Sequence, residues 1–177
     1  MSKFNQRQII RKRLKKLSKF EKDIYSDIIA QKLYDLIEVY NPEIVMSYMA
    51  LEDEVNLEKL HFLLKRKGVT LCFPVVENDV INAYASDKFV EGSFNILEPK
   101  EGITIKKENI DIIVVPCVGF DENRNRLGHG KGYYDKYLQD YQGKKFLVAF
   151  EVQKLDKIEI AQNDIKMNRI ITEKKDY

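Results

Sequence analysis

The middle of the chain places a strand, a glycine-spaced turn and a helix start directly after one another. Residues 110–115 read IDIIVV, and such a β-branched run is typical of a strand covered on both faces, as in a parallel or mixed sheet. Gly128, Gly130 and Gly132 follow, so the backbone can turn tightly and direct several N–H groups to one side. A helix is predicted at 133–141. The loop is therefore expected to bind an anion, beside the positive charge of Lys131.

Helix-like and strand-like segments alternate along the rest of the chain. Helices are predicted at residues 4–17, 19–40, 57–67 and 133–141. Strands are predicted at residues 43–50, 69–75, 80–85, 110–115, 146–150 and 169–172. This alternation predicts the α/β class, a three-layer α/β/α sandwich with a mainly parallel sheet. With 177 residues, we expect a single domain spanning 1–177.

Three local features refine this expectation. Ser18 and Glu21 have the spacing of a capping box, which marks the start of the second helix. Residues 80–85 alternate in polarity and precede polar sequence, which favours an edge strand. Residues 86–109 contain Gly92, Pro99 and Gly102, and we expect them to form a loop over the sheet.

Composition narrows the class of protein. Hydrophobic residues make up 44% of the chain and charged residues 33%, as in ordinary globular proteins. No apolar run approaches the roughly 20 residues of a membrane-spanning helix, and no signal-type apolar core follows the basic N-terminus. We therefore expect a cytoplasmic protein. Cys72 and Cys117 lie far apart within apolar stretches and are expected to be buried free thiols.

The basic residues are concentrated at the N-terminus. Residues 1–20 contain eight lysines and arginines and no acid; because the net charge of the chain is +2, the remainder sums to −6. Lys3, Arg7, Arg11 and Lys15 are spaced by four residues and share one helix face. This face is either a solvated surface or a binding surface for a polyanion, which could be a nucleic acid, a membrane or a nucleotide.

The central loop matches neither of the two familiar phosphate motifs. A Walker A motif requires Ser or Thr after the lysine, but Gly132 follows Lys131, and a dinucleotide fingerprint would require glycine at Tyr133. Charged and aromatic neighbours nevertheless support a nucleotide: Arg126 and Lys131 can neutralise phosphates, tyrosines can stack on a heterocycle, and Asp135 can hold Mg²⁺. The alternative is a glycine hairpin whose tyrosines belong to the core.

Two further pocket residues are expected at the carboxyl end of the strand at 43–50. Ligands of open α/β sheets gather at this edge, so Met49 and Glu54 are candidates for contact with a ligand. Glu52, Asp53 and Glu54 could equally be solvated loop acids.

The sequence resembles one known family. Phe120-Asp121 followed by Arg126-Leu127-Gly128-His129-Gly130-Lys131-Gly132-Tyr133-Tyr134-Asp135 is similar to the signature of the 5-formyltetrahydrofolate cyclo-ligases, also called methenyltetrahydrofolate synthetases. Shorter matches follow in order, at Lys3 and Arg7, Met49 and Glu54, Phe73-Pro74, residues 92–99, Asp164, and residues 170–173. The resemblance therefore covers nearly the whole chain.

The resemblance implies an enzyme that closes the ring of 5-formyltetrahydrofolate to 5,10-methenyltetrahydrofolate, with ATP as co-substrate and Mg²⁺ as cofactor, releasing ADP and phosphate. It implies a Rossmann-like three-layer sandwich related to phosphosugar isomerases and CoA transferases. The expected partners are small molecules, with no nucleic acid and no membrane, and the expected assembly is a monomer or a weak homodimer.

The resemblance also implies roles for individual residues. The ATP-binding set is Lys3, Arg7, Arg126, Leu127, Gly128, His129, Gly130, Lys131, Gly132, Tyr133 and Tyr134. The folate-binding set is Met49, Glu54, His129, Gly130, Lys131, Gly132 and Tyr133. Lys131 and Arg126 would stabilise the transferring phosphoryl group, with Tyr133 near the formyl group, and Asp135 and Asp164 would hold Mg²⁺.

Departures from the family pattern leave alternatives open. Gln6 stands where leucine is usual, so either Arg7 or Arg11, which follows Ile10, could be the phosphate contact. His129 occupies a variable position and is assigned no proton transfer. Two other functions also remain: a nucleic-acid-binding protein that uses the basic first helix, and a phosphosugar isomerase of the same fold class.

Overall fold

The computed structural model describes residues 1–92 and 97–177. The helices are α1 (Lys3–Leu14), α2 (Lys19–Tyr40), α3 (Glu58–Arg66) and α4 (Tyr133–Leu138). The strands are β1 (Ile44–Met46), β2 (Thr70–Glu77), β3 (Val80–Glu91), β4 (Leu97–Ile105), β5 (Ile112–Val115), β6 (Gly119–Phe120), β7 (Arg126–Leu127), β8 (Lys144–Val148) and β9 (Arg169–Ile171). Short 3-10 helices span Lys107–Asn109 and Glu151–Gln153.

Seven strands form one sheet in the order β4-β3-β2-β1-β5-β8-β9. The strands from β2 to β9 in this order are parallel to their neighbours, whereas β3 and β4 form an antiparallel hairpin beside β2. The register places Val45 opposite Leu71 on one side and opposite Ile112 on the other. The expected α/β class with a mainly parallel sheet is confirmed.

Alternate residues of the central strands face two different cores. Val45 and Ile112 belong to a buried cluster with the apolar residues of α1, α2 and α3. Met46 and Ile113 belong to a second cluster, to which α4 contributes Leu138. Because successive strand residues point to opposite faces, the β-branched runs are buried on both sides. The result is a sheet enclosed between two layers.

The structure confirms several local predictions. Ser18 and Glu21 form the complete capping box at the start of α2, and Ser18 N–H donates to Glu21 Oε2 over 2.8 Å. Cys72 and Cys117 are free and buried. Burial raises the pKa of the Cys72 thiol to about 12, so it remains a protonated, unreactive core residue at neutral pH.

Other predictions were wrong. Residues 86–109 are not mainly a loop, because β3 extends to Glu91 and pairs with β4 over most of its length. The strand predicted at 80–85 is therefore not at the edge; β4 covers it. The sequence signal failed here because the outer part of this hairpin is largely solvent-exposed and lacks a continuous apolar face. Ser93–Ile96, part of one motif match, lie outside the described residues.

Helix α2 buries only part of its apolar surface. Ile29, Leu33 and Ile37 are buried, whereas Ile24 and Ile28 are each 41% exposed. None of the helices in the described part of the chain is long and apolar enough to cross a membrane.

Candidate active site

The glycine loop follows a small hairpin that the sequence did not predict. Beyond β5, strands β6 and β7 pair with Gly119 opposite Leu127, and the loop at 128–132 leads directly into α4. Asp121 is fully buried in the turn of this hairpin. Its carboxylate accepts hydrogen bonds from the N–H groups of Asn123, Asn125 and Ile158, at 3.0, 3.1 and 2.9 Å. These bonds fix the start of the loop against the 155–158 segment.

Arg126 lies beneath the loop rather than in solvent, with only 5% of its side chain exposed. Its Nη2 is 2.9 Å from Asp135 Oδ2, and its guanidinium lies over the Tyr134 ring at 5.6 Å. Glycine at position 128 lets this guanidinium lie against the loop backbone, because a Cβ there would be 2.9 Å from Arg126 Nη1. The Arg126 Nε–H and the Tyr134 hydroxyl are both buried without a hydrogen-bond partner among the described residues. Such donors are costly unless a ligand satisfies them.

Helix α1 brings two of its basic residues into the site. Lys3 Nζ pairs with Asp164, and Arg7 Nε donates to the carbonyl oxygen of Gly128 over 2.8 Å. Burial, and then the nearby charge of Arg11, lower the pKa of Arg7. Gly130 has φ +110°, and a Cβ there would lie 3.5 Å from the Arg7 guanidinium. The first helix therefore packs directly on the glycine loop.

The loop after β1 contacts the glycine loop from the other side. Glu54 Oε1 is 3.1 Å from His129 Nε2, and Glu54 Oε2 accepts a hydrogen bond from the Leu51 N–H over 2.9 Å. The Glu54 side chain is only 8% exposed. Met49 is half-buried and packs against the core cluster under α1 to α3. The two candidate folate contacts thus lie at the carboxyl end of β1, as the sequence predicted.

The remaining candidates of the loop differ in their surroundings. The Tyr133 hydroxyl donates to Asp79 Oδ1 over 3.2 Å, and this bond is the main cause of its raised pKa. Burial raises the pKa of the Tyr134 hydroxyl. Lys131 is exposed, and the described residues offer it neither a hydrogen-bond nor an ion-pair partner. Its charge is available to a ligand.

Asp135 and Asp164, the two candidate Mg²⁺ ligands, are each paired with a basic side chain, Asp135 with Arg126 and Asp164 with Lys3. Burial alone would raise the pKa of Asp164, but the Ala161 N–H, Lys3 and Arg126 together hold this pKa below its ordinary value. Arg126 thus acts on both carboxylates, since it is paired with Asp135. No group of three or more His, Cys, Asp or Glu side chains within residues 1–92 and 97–177 is arranged around a metal. Carboxylate oxygens are ligands that Mg²⁺ takes in sites where substrate phosphates complete its coordination.

A cavity of about 510 Å³ opens beside Glu54 and His129. Leu14 of α1, Cys117 and Val118 contribute buried apolar side chains to its lining. Arg11 also lines it, whereas Lys3, Arg7, Arg126 and Lys131 do not. Two arginines of the same face of α1 therefore have different surroundings: Arg7 contacts the glycine loop and Arg11 lines the cavity.

The structure brings together residues that lie far apart in the sequence. Lys3 and Asp164 meet across 161 positions, and Glu54 and His129 meet across 75. Sequence reasoning missed Asp79, the partner of Tyr133, and Asp121, the centre of the hairpin turn. Asp121 belongs to the Phe-Asp pair of the motif, which was a usable signal. Asp79 follows Asn78 between two strand-like runs, which is a turn signal but gives no indication of a partner.

Comparison with known proteins finds similarity to one family along nearly the whole chain. The model of the 5-formyltetrahydrofolate cyclo-ligase family matches residues 1–173. The chain is 27% identical over 183 residues to the 5-formyltetrahydrofolate cyclo-ligase of Mus musculus, covering 93% of this chain and 90% of that protein. It is 32% identical over 155 residues to the one from Mycoplasma pneumoniae, covering 85% of each.

Solved structures give the same result. The chain superposes on the 5,10-methenyltetrahydrofolate synthetase of Aquifex aeolicus with a TM-score of 0.87 and 33% identity, covering 99% of this chain and 92% of that one. For the 5,10-methenyltetrahydrofolate synthetase of Mycoplasma pneumoniae the TM-score is 0.82 and the identity 29%, covering 98% and 99%.

Proposed function

The chain belongs to the 5-formyltetrahydrofolate cyclo-ligase family, and we propose that it uses ATP and Mg²⁺ to convert 5-formyltetrahydrofolate into 5,10-methenyltetrahydrofolate, ADP and phosphate. Membership makes it an enzyme of the ligase type acting in folate chemistry. Beyond family membership, we propose ATP as the co-substrate, Mg²⁺ as the metal, and the two reaction steps given below.

One observation carries the proposal: three cationic side chains lie at a single glycine loop, and a fourth, Lys3, is paired with Asp164, whose pKa Arg126 also lowers. Lys3 and Arg7 approach from α1, Arg126 lies beneath the loop, and Lys131 is exposed on it. Such a concentration of positive charge suits a triphosphate and the charge that develops during phosphoryl transfer. Glu54, held against the same loop through His129, provides a second ligand contact beside the first.

The proposed reaction balances in two steps. The formyl oxygen attacks the γ-phosphorus of ATP, and the bond to the leaving ADP breaks. N10 of the folate then attacks the activated formyl carbon, and the carbon–oxygen bond to phosphate breaks as the ring closes, while the proton of N10 is lost and leaves formally with the phosphate as HPO₄²⁻. Both steps depend on alignment and charge neutralisation more than on an acid–base pair.

Residue roles in the proposal follow from position. The glycine loop, Lys3 and Arg7 bind the ATP phosphates, while the free ammonium of Lys131 and the guanidinium of Arg126 stabilise the transferring phosphoryl group. Met49, Glu54 and the overlapping part of the loop hold the folate, with Tyr133 near the formyl group. Asp135 and Asp164 would hold Mg²⁺, which neutralises phosphate charge when bound.

An absorbance assay tests the proposal. Purified protein is mixed with 5-formyltetrahydrofolate, ATP and Mg²⁺, and formation of the conjugated methenyl product is followed spectrophotometrically. We expect product only when all three are present. Failure to form product with the authentic substrate would reject the proposal, and product formation without ATP would reject the nucleotide as co-substrate.

A further inference from the structure

Arg11 lines the cavity next to Glu54 and His129 but has no assigned role. It lies one helical turn beyond Arg7, and four residues advance an α-helix by about 6 Å. Arg7 is fixed on the glycine loop through the Gly128 carbonyl. Arg11 therefore extends the positive face of α1 away from the phosphate-binding loop and into the cavity.

The cavity belongs with the proposed folate contacts rather than with the residues proposed for ATP alone. Glu54 and His129 line it, whereas Lys3, Arg7 and Arg126 do not. Leu14, Cys117 and Val118 form apolar lining and are at most 5% exposed. This combination suits a flat, apolar ring that continues from the reacting end of the folate.

Most of the negative charges around the cavity already have partners. Asp53 Oδ1 lies 2.7 Å from Lys22 Nζ, and Glu54 is bound by the Leu51 N–H and His129. Glu52 is exposed, where water and salt screen its repulsion of an anion. The Arg11 guanidinium has no side-chain partner in the part of the chain that the structure describes. An unpaired arginine at such a cavity is suited to bind a carboxylate with two parallel hydrogen bonds.

From this arrangement we infer that Arg11 binds the glutamate tail of the folate, with the aminobenzoyl ring lying over Leu14, Cys117 and Val118. This inference rests on the proposed function, because it assumes that a reduced folate occupies the cavity. In this assignment Arg7 and Arg11 bind different ligands: Arg7 binds the nucleotide, and Arg11 binds the carboxylate-bearing part of the folate.

The inference is tested with Arg11→Gln and two substrates, 5-formyltetrahydrofolate and its tail-free analogue 5-formyltetrahydropteroate. We expect a rise of about tenfold in the KM for the substrate with the tail, since a charge-assisted contact is lost. The kcat, the KM for ATP and the kinetics with the tail-free analogue should not change. Lys12→Gln is the matched control, because it removes a neighbouring exposed charge that does not line the cavity.

Three outcomes would overturn the assignment. An unchanged KM for 5-formyltetrahydrofolate in Arg11→Gln would show that the tail is bound elsewhere. An equal rise in KM for both substrates would show that Arg11 contacts the part of the molecule that they share. A rise in the KM for ATP would show that Arg11 binds the nucleotide instead.

Binding of p-aminobenzoylglutamate, measured by calorimetry, separates this inference from the reaction itself. We expect the wild-type protein and Lys12→Gln to bind it and Arg11→Gln to bind it about tenfold more weakly. Arg11-dependent binding in a protein without cyclo-ligase turnover would keep the tail site and reject the proposed reaction. Turnover together with binding that is independent of Arg11 would keep the reaction and reject the tail site.

Discussion

The two ends of the parallel sheet each have a cavity of similar size, but their charges are arranged differently. At the amino end of β1 and β2, a cavity of about 440 Å³ is lined by residues that include Tyr34, Glu38 and Lys67. These polar groups satisfy each other: Lys67 Nζ lies 2.7 Å from Glu38 Oε1, and the Tyr34 hydroxyl donates to the same oxygen over 2.6 Å.

At the carboxyl end, several polar groups have no partner in the described ranges. The Arg126 Nε–H and the Tyr134 hydroxyl are buried and unsatisfied, and Lys131 is exposed and unpaired. Charges at the amino end thus stabilise one another, whereas at the carboxyl end Lys131 and the Arg126 Nε–H stay without a partner in the described ranges, beside the ion pairs Lys3–Asp164 and Arg126–Asp135. Unsatisfied polar groups, and not cavity volume, distinguish the candidate site.

The largest effect is expected at the carboxyl end of the sheet, where a substitution should reduce activity without changing stability. Lys131→Ala should reduce kcat by about 100-fold or more, because it removes a preorganised charge from the transferring phosphoryl group. The melting temperature should stay nearly unchanged, since Lys131 is exposed and unpaired. Lys136→Ala, an exposed lysine of α4, is the control, and unchanged turnover in Lys131→Ala would remove this residue from the mechanism.

A second substitution tests the proposed metal ligands. Asp164→Asn should lower kcat/KM for ATP by about 10- to 100-fold, and part of the loss should be recovered by raising the Mg²⁺ concentration. The measurement is a titration of Mg²⁺ at fixed ATP, with Asp156→Asn in the same exposed segment as control. A loss that does not depend on Mg²⁺ would assign Asp164 only to its ion pair with Lys3.

A buried polar group away from both cavities should affect stability alone. His61 is 2.7 Å from Ser47 Oγ, and burial followed by the charge of Lys65 lowers its pKa from 6.5 to about 4. The unfolded chain therefore binds a proton below pH 6.5 that the folded protein binds only near pH 4. Because only the unfolded chain binds this proton in the range between pH 7 and pH 5, the free energy of unfolding should fall by about 2 kcal/mol over that range.

Urea unfolding at the two pH values measures this loss. His61→Gln should have a smaller decrease in the unfolding free energy between pH 7 and pH 5, while its turnover at neutral pH should match that of the wild type. An equal decrease in both proteins would show that His61 is not the titrating group.

The smallest effect is expected at the amino end. Glu38→Gln removes an ion pair that is open to solvent, and such pairs contribute little to stability. The melting temperature should fall slightly and the kinetic constants should not change. A change in kcat or in either KM would contradict the contrast between the two ends of the sheet.

Local sequence patterns predicted much of the fold. The apolar runs at 110–115 and 146–150 predicted buried strands because both faces of a central strand require apolar side chains. The capping box at Ser18 and the glycine spacing of the loop could also be predicted, because the interacting groups lie within a few residues of one another. The β6–β7 hairpin was missed, since strands of two residues have no periodicity, and the exposed β3–β4 hairpin was mistaken for a loop.

The residue types of the candidate site were determined by the sequence alone, because phosphate, folate and Mg²⁺ each require particular side chains whatever the geometry. Tertiary structure decided how those side chains are paired. Arg126 is buried against Asp135, Lys3 holds Asp164, and Arg7 and Arg11 on one helix face serve different places. These contacts join segments that only the packing of α1 and the loops on the sheet brings together, so no local pattern could encode them.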